Sequence, residues 1–170
     1  MPDSQLPDRL NAVGVLKRRE IEARILRPLI EELSQEFGRE RVLAVVGRTI
    51  ERIAREQGTA LAGEMGGCTL AHFLAGLEAW RQDDALEMQI LEANDQRLSF
   101  DVTRCRYAEL YRALDMPELG SLLSCRRDFA LIQGFNPDVE LERAQTIMEG
   151  ARTCTFRYRI KQPKEPSQDG

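Results

Sequence analysis

The chain has 170 residues, 31% of them charged, and a formal net charge of −4, enough length for one domain with a proper hydrophobic core. The acidic balance and the presence of only three lysines, Lys17, Lys161 and Lys164, argue against a nucleic-acid binder or a protein held on an anionic membrane, since both need clustered positive charge. No apolar run approaches the length of a membrane span, and "MPDSQLPDRLN" lacks the basic start and apolar centre of a secretory signal. A cytoplasmic protein with four reduced cysteines is expected.

Residues 1–16 and 161–170 are rich in proline and polar groups, too poor in apolar surface to offset the entropy of ordering, so flexible ends are expected around a single domain at 17–160. In "REIEARILRPLIEELSQEFG", Ile21, Ile25, Leu29 and Leu33 recur every fourth position and predict an amphipathic helix. Pro28 within it predicts a kink or break, and Gly38 a stop. "RVLAVVGRTIERIAREQG" repeats the pattern with Val42, Val46, Ile50 and Ile53 and is expected to close on Gly58. "GEMGG", Gly63 to Gly67, reads as a loop without phosphate-loop spacing. Thr69 is placed to cap a third helix carrying Leu70, Phe73, Leu74, Leu77 and Trp80.

From about residue 85 the period becomes two. "LEMQILE" alternates Leu86, Met88 and Ile90, "LSFDV" alternates Leu98, Phe100 and Val102, and "ANDQ" supplies the turn of a hairpin. "RYAELYRALDM" predicts a short helix with Tyr107, Leu110, Tyr111 and Leu114 inward, and Pro117 opens another helical piece. After the "GFNP" turn, "VELERAQTIM" and "CTFRYRI" predict a second strand pair around Glu149 and Gly150. The fold class is therefore α+β: N-terminal helices followed by ββααββ with a four-stranded antiparallel sheet.

The chemistry concentrates in this second half. In "LLSCRRDF", Cys125 lies beside two arginines and three residues before Asp128. On one unbroken helix the thiol and carboxylate share a face; if the helix breaks near Gly120, Ser124 caps a new one and Cys125 sits in its first turn, where partial positive charge favours thiolate. Against both stands the commonest role of a free cysteine, a small buried hydrophobe. On the following strand one face carries Val139, Leu141, Arg143, Gln145 and Ile147, and on the last strand Cys154 shares a face with Phe156, Tyr158 and Ile160. Burial of Arg143 demands an acidic neighbour or an anionic ligand, unless it reaches solvent along its apolar stem. Cys105 stands where a strand meets a helix, a common functional position that also suits packing. His72, the single histidine, follows Cys68 by four residues. A zinc set of Cys105, Cys125, Cys154 and His72 lacks the close-paired spacing of structural zinc sites and is the lesser alternative to a site with no cofactor.

Cys105 to Arg159 resembles the L-2-amino-thiazoline-4-carboxylic acid hydrolase family. The resemblance rests on C-x-Y-x-E-x-Y from Cys105, "PELG" from Pro117, C-x-x-D-F from Cys125 and "GFNP" from Gly134. It continues through R-x-Q-T from Arg143 and E-G-x-x-x-C-x-F-R from Glu149. Arg126 and Ala144 are the departures within these motifs. The resemblance implies hydrolysis of a C–N or C–S bond in a small cyclic amidine, opened to an N-carbamoyl cysteine. On that basis Cys125 is assigned as nucleophile, with Cys105 and Cys154 competing for the role. Asp128 and Glu149 are assigned to the amidinium or its protons, Arg143 to the substrate carboxylate, and Gln145 and His72 to the substrate-binding set. Direct attack by water assisted by a carboxylate is the alternative to a covalent step. The expected partner is a small-molecule substrate, with no nucleic acid, no membrane, and self-association left open. Two rival readings are a ligand sensor that needs no reactive thiol, and base stacking on the aromatics of "RCRYAELYR" and "FRYRIK".

Overall fold

A computed structural model describes residues 13–162. Most of both expected flexible ends, 1–16 and 161–170, lies outside the described residues. Two long helices open the fold, α1 (Val15–Phe37) and α2 (Arg39–Met65), linked by Gly38 alone at a φ of +86°, a conformation that favours glycine. α1 runs through Pro28 without a break. Only Leu33 of its expected apolar stripe packs on the core: Ile21, Ile25 and Leu29 are 51, 63 and 49% exposed, while Val15, Arg19, Ala23 and Ile30 are buried. The inner face of α1 is thus built from small and cationic side chains as well as aliphatic ones, a pattern that hydrophobic periodicity does not register.

α2 also continues past the expected stop at Gly58 and takes in most of the "GEMGG" segment, ending at Gly66 in the left-handed conformation. Gly58 serves packing instead. A Cβ there would lie 2.0 Å from the carbonyl oxygen of Leu131, and one at Gly134 would lie 1.9 Å from that of Arg55. The two glycines let α2 and α7 (Arg127–Phe135) cross with backbones in contact.

Thr69 caps α3 (Leu70–Gly76), its hydroxyl accepting from the His72 amide at 3.2 Å. A one-turn α4 (Glu78–Arg81) and a tight turn with Asp83 at positive φ lead into the sheet. The strands are β1 (Leu86–Ala93), β2 (Arg97–Cys105), β3 (Val139–Glu142) and β4 (Cys154–Ile160), all antiparallel neighbours in the order β1-β2-β4-β3. The Asn94 side chain accepts from the amides of Gln96 and Arg97 and fixes the first hairpin. Ile90 pairs with Phe100 and keeps the alternation from Met88, but it is exposed at this edge of the sheet, as is Leu91, which the second register shift leaves unpaired. β3 stops at Glu142, and Arg143, Gln145 and Ile147 therefore lie in the connection beyond the strand.

Between β2 and β3 the chain forms α5 (Arg106–Ala113), α6 (Pro117–Gly120 with the proline in its first turn), a π-helical turn at Ser121–Cys125, and α7. The inner sheet face, with Leu98, Phe100, Val102, Cys154 and Tyr158, packs on Phe73, Leu131, Ile132 and Phe135 from α3 and α7. A second core joins Ala23, Ile30 and Ile50 of the long helices to Ala108, Tyr111, Leu119 and Leu123. No helix among the described residues is long and apolar enough to cross a membrane.

Candidate functional site

Where these two cores meet, a cavity of about 80 Å³ is left between the sheet and the helices. One part of its wall is apolar, from Phe73, Leu77, Trp80, Leu86, Met88 and Phe100; the other is polar, from Arg19, Gln57, Cys125, Arg127, Asp128 and Arg143. Cys105 and Cys154 line it too.

Local structure explains how these side chains meet. In the π turn the Arg126 amide donates to the Ser121 carbonyl at 3.0 Å, a five-residue spacing that inserts one extra residue before α7. Gly120 is helical and Ser124 makes no cap, so α6, the π turn and α7 form one continuous helical segment. Ser124, Cys125, Asp128 and Leu131 thereby share the cavity wall. Asp128 pairs with Nη1 of Arg143, which also donates to the Cys125 carbonyl at 3.0 Å. These two bonds hold Arg143 toward α7 just where β3 stops. The Arg143 guanidinium rests on the rings of Phe129 and Phe156, 4.9 and 5.4 Å from their centroids. Its Nε is buried without a hydrogen-bond partner.

Burial dominates the electrostatics. Asp128 is pushed up to about 6 by desolvation, which outweighs the opposing pull of Arg143. Its side chain keeps 27% exposure, too little to solvate a carboxylate as bulk water does. The Cys125 thiol is pushed far above its ordinary range, first by burial and then by the charge of Asp128. Cys105 is pushed up to about 11, again by burial, with the Ala108 and Tyr107 amides offsetting part of the rise. Cys154 is raised in the same way although the Ile147 amide donates to its sulfur at 3.2 Å. Of the two local geometries open for Cys125, the structure has the unbroken one: the sulfur sits at the end of the π turn, within a continuous helical segment and on the same wall as Asp128, and not in the first turn of a new helix.

Of the residues singled out from the sequence, Cys105, Cys125, Asp128, Arg143 and Cys154 line the one cavity. Glu149 does not; its carboxylate accepts from the Thr146 hydroxyl at 2.8 Å. Gln145 is exposed and donates to Thr153. His72 is half-buried, with Nδ1 2.7 Å from the Thr69 hydroxyl. No group of three His, Cys, Asp or Glu side chains among the described residues is placed to hold a metal ion. Phe156 and Tyr158 face the cavity, turned away from any base that might stack on the sheet's outer face.

Two site residues escaped the sequence reading. Arg19 and Arg127 are 3 and 7% exposed and line the polar wall. Both donate to Glu22, Arg127 at 3.2 Å, and Arg127 also donates to the Leu123 carbonyl at 2.7 Å and Gln57 at 3.4 Å. Burial, and next the neighbouring Arg19, lowers Arg127 to about 10.

The family model for L-2-amino-thiazoline-4-carboxylic acid hydrolase matches residues 18–158. The chain belongs to this family. No curated protein matches the chain. Crystal structures that share its fold include two sensory or trafficking proteins. The phenol-responsive sensory domain of the transcription activator PoxR, with phenol, aligns at a TM-score of 0.51 and 11% identity, covering 80% of this chain and 73% of that one. A trafficking protein particle complex subunit 3 from Naegleria fowleri, covalently bound to palmitic acid, aligns at 0.54 and 15%, covering 88% and 98%. At these identities the likeness is one of fold.

Proposed function

We propose that the protein is a cytoplasmic hydrolase that opens a small cyclic amidine of the 2-amino-thiazoline-4-carboxylate type, with Asp128 as the base that activates water. The observation that carries this reading is the position of Asp128: a carboxylate on the cavity wall, held by Arg143 and raised to about 6. A general base works best when its pKa lies near the operating pH, and the same carboxylate is a natural partner for an amidinium. Water adds to the amidine carbon while Asp128 takes its proton. The ring C–S bond then breaks, the sulfur leaves with a proton, and the added oxygen becomes the carbamoyl carbonyl of N-carbamoyl-cysteine. The apolar wall offers the ring a surface to pack on, once Met88 and its neighbours give way, and excludes bulk water.

A covalent route through Cys125 is less well supported, because a thiol held protonated is a poor nucleophile. Cys125, Cys105 and Cys154 are then neutral, polarisable wall groups. Glu149, Gln145 and His72 have no part in this scheme. The test is formation of N-carbamoyl-cysteine by substoichiometric protein. Asp128→Asn is expected to lower turnover about a hundredfold or more, and Cys125→Ala to retain most of it. Absence of product with wild-type protein rejects this substrate. The reverse order of the two variants rejects the role of Asp128.

A second reading is a ligand-binding module without turnover. The apolar wall favours it, and a phenol-responsive sensory domain has the same fold. It predicts saturable binding of a small ring compound with no product under any condition.

A further inference from the structure

Three guanidinium groups, Arg19, Arg127 and Arg143, share the polar wall of the cavity, and two carboxylates, Glu22 and Asp128, answer them. Among these five groups one positive charge is in excess even with Asp128 ionised. The excess does not fall on Arg143, whose Nη1 is bonded to Asp128. It falls on Arg19 and Arg127, two buried cations that share the single carboxylate of Glu22. Glu22 is 31% exposed, so part of its charge is turned to water and away from them. Burying a second guanidinium without its own counter-ion costs stability that an apolar side chain would not cost, so a pair kept this way on a cavity wall calls for an anion.

A second observation points the same way. The Tyr111 ring is fully buried and its hydroxyl has no hydrogen-bond partner. The ring packs in the second core with Ala23 of α1 and Leu123, whose carbonyl accepts from Arg127. On the cavity wall itself, Nε of Arg143 is likewise buried and unsatisfied in the ligand-free protein.

We propose that Arg19 and Arg127 form the anion subsite of this cavity and hold the carboxylate of a small planar ring compound, while Arg143 stays with Asp128 and orients the base. The inference rests on this cavity being the ligand site and adds to it an orientation. The carboxylate points toward α1 and α2, and the ring lies along the apolar wall with its reacting carbon at Asp128. The size of the cavity limits the class. At about 80 Å³ it is smaller than the roughly 150 Å³ that admits benzene, so a five-membered ring already requires the flexible Met88 and its neighbours to give way, and a long acyl chain does not fit. The assignment also accounts for Arg127 as the second arginine after Cys125: its neighbour Arg126 pairs on the surface with Glu51 at 3.5 Å, while Arg127 turns inward.

The test uses ligands that cannot be hydrolysed. Thiophene-2-carboxylate and its isosteric amide, thiophene-2-carboxamide, are titrated calorimetrically into the full chain and into Arg19→Gln, Arg127→Gln and Arg143→Gln. Wild type is expected to prefer the carboxylate by about tenfold or more. Arg19→Gln and Arg127→Gln are each expected to lose that preference with amide binding little changed, and Arg143→Gln to keep it. Arg127→Lys, which retains the charge, covers the case in which Arg127→Gln does not fold. No preference in wild type, or a preference abolished by Arg143→Gln and intact in Arg19→Gln, overturns the proposal. Turnover is read separately: a carboxylate preference in a protein that hydrolyses nothing sinks the hydrolase reading alone, and hydrolysis without the preference sinks this one alone.

Discussion

The pH dependence of turnover separates the two chemistries that the cavity offers. If Asp128 is the base, only its ionised form works, and burial has placed its titration at about 6. The ionised fraction is then about one tenth at pH 5 and nine tenths at pH 7, so kcat/KM is expected to rise roughly tenfold across that interval and level off above it. The charged groups facing Asp128 are Arg143, Arg19 and Arg127; even Arg127, lowered to about 10, titrates well above this range, so the limb belongs to the carboxylate. A thiolate mechanism behaves differently. With Cys105 at about 11 and Cys125 pushed higher still, the reactive fraction at pH 7 is at most on the order of one in ten thousand, and the rate climbs tenfold per pH unit through pH 9. The assay is N-carbamoyl-cysteine formed after acid quench and chromatography, from pH 4.5 to 9.5. Asp128→Asn controls for titration of the substrate: it is expected to lose the limb near 6, and Cys125→Ser to keep it. A log-linear climb through pH 9 in wild type refutes the base assignment.

The stability of the ligand-free protein carries the same titration with the opposite sign. Asp128 has a folded pKa above its unfolded value of about 3.9, so its contribution to stability is full below that value and is lost as pH rises through about 6; calorimetric melting of wild type is expected to lose a pH-dependent increment over that window that Asp128→Asn lacks. Iodoacetamide at pH 7, followed by peptide mass spectrometry, is expected to label exposed Cys68 readily and Cys105, Cys125 and Cys154 slowly; rapid labelling of Cys125 below neutral pH contradicts its protonated state. Gly134→Ala places a Cβ about 1.9 Å from the Arg55 carbonyl oxygen, backbone against backbone. It is expected to cost about 3 kcal/mol or more in urea unfolding, whereas the same change at exposed Gly63, which meets nothing within 4 Å, costs nothing of that kind.

The class of the fold was legible because its signals are local. The Thr69 cap, the Asn94 turn, the proline opening α6 and the alternation of β2 each act over a few residues, and each is found where it was expected. Helix limits were less legible. Gly58 reads as a terminator, yet its missing side chain is needed 73 residues away, where α7 presses its Leu131 carbonyl on α2; only the tertiary contact shows which use applies. The π turn left no mark in "SLLSC", since a single extra residue per turn changes neither composition nor apolar spacing enough to be read.

The arginines were missed for a deeper reason. Hydrophobic periodicity assumes that the buried face of a helix is its apolar face, and α1 departs from this: Ile21, Ile25 and Leu29 look outward while Arg19 looks inward. A helix accepts such an inversion only if the buried cation finds compensation, here Glu22 on its own next turn, Arg127 competing for that same carboxylate, and a cavity in front of both. Each cost points to the same location. α7 is pressed on α2 by glycine, the π turn re-aims Cys125, β3 is cut short as Arg143 turns to Asp128, and α1 buries a cation. All four departures from simple pattern border one space of about 80 Å³, which is the behaviour expected when a chain gives up local consistency to build a site.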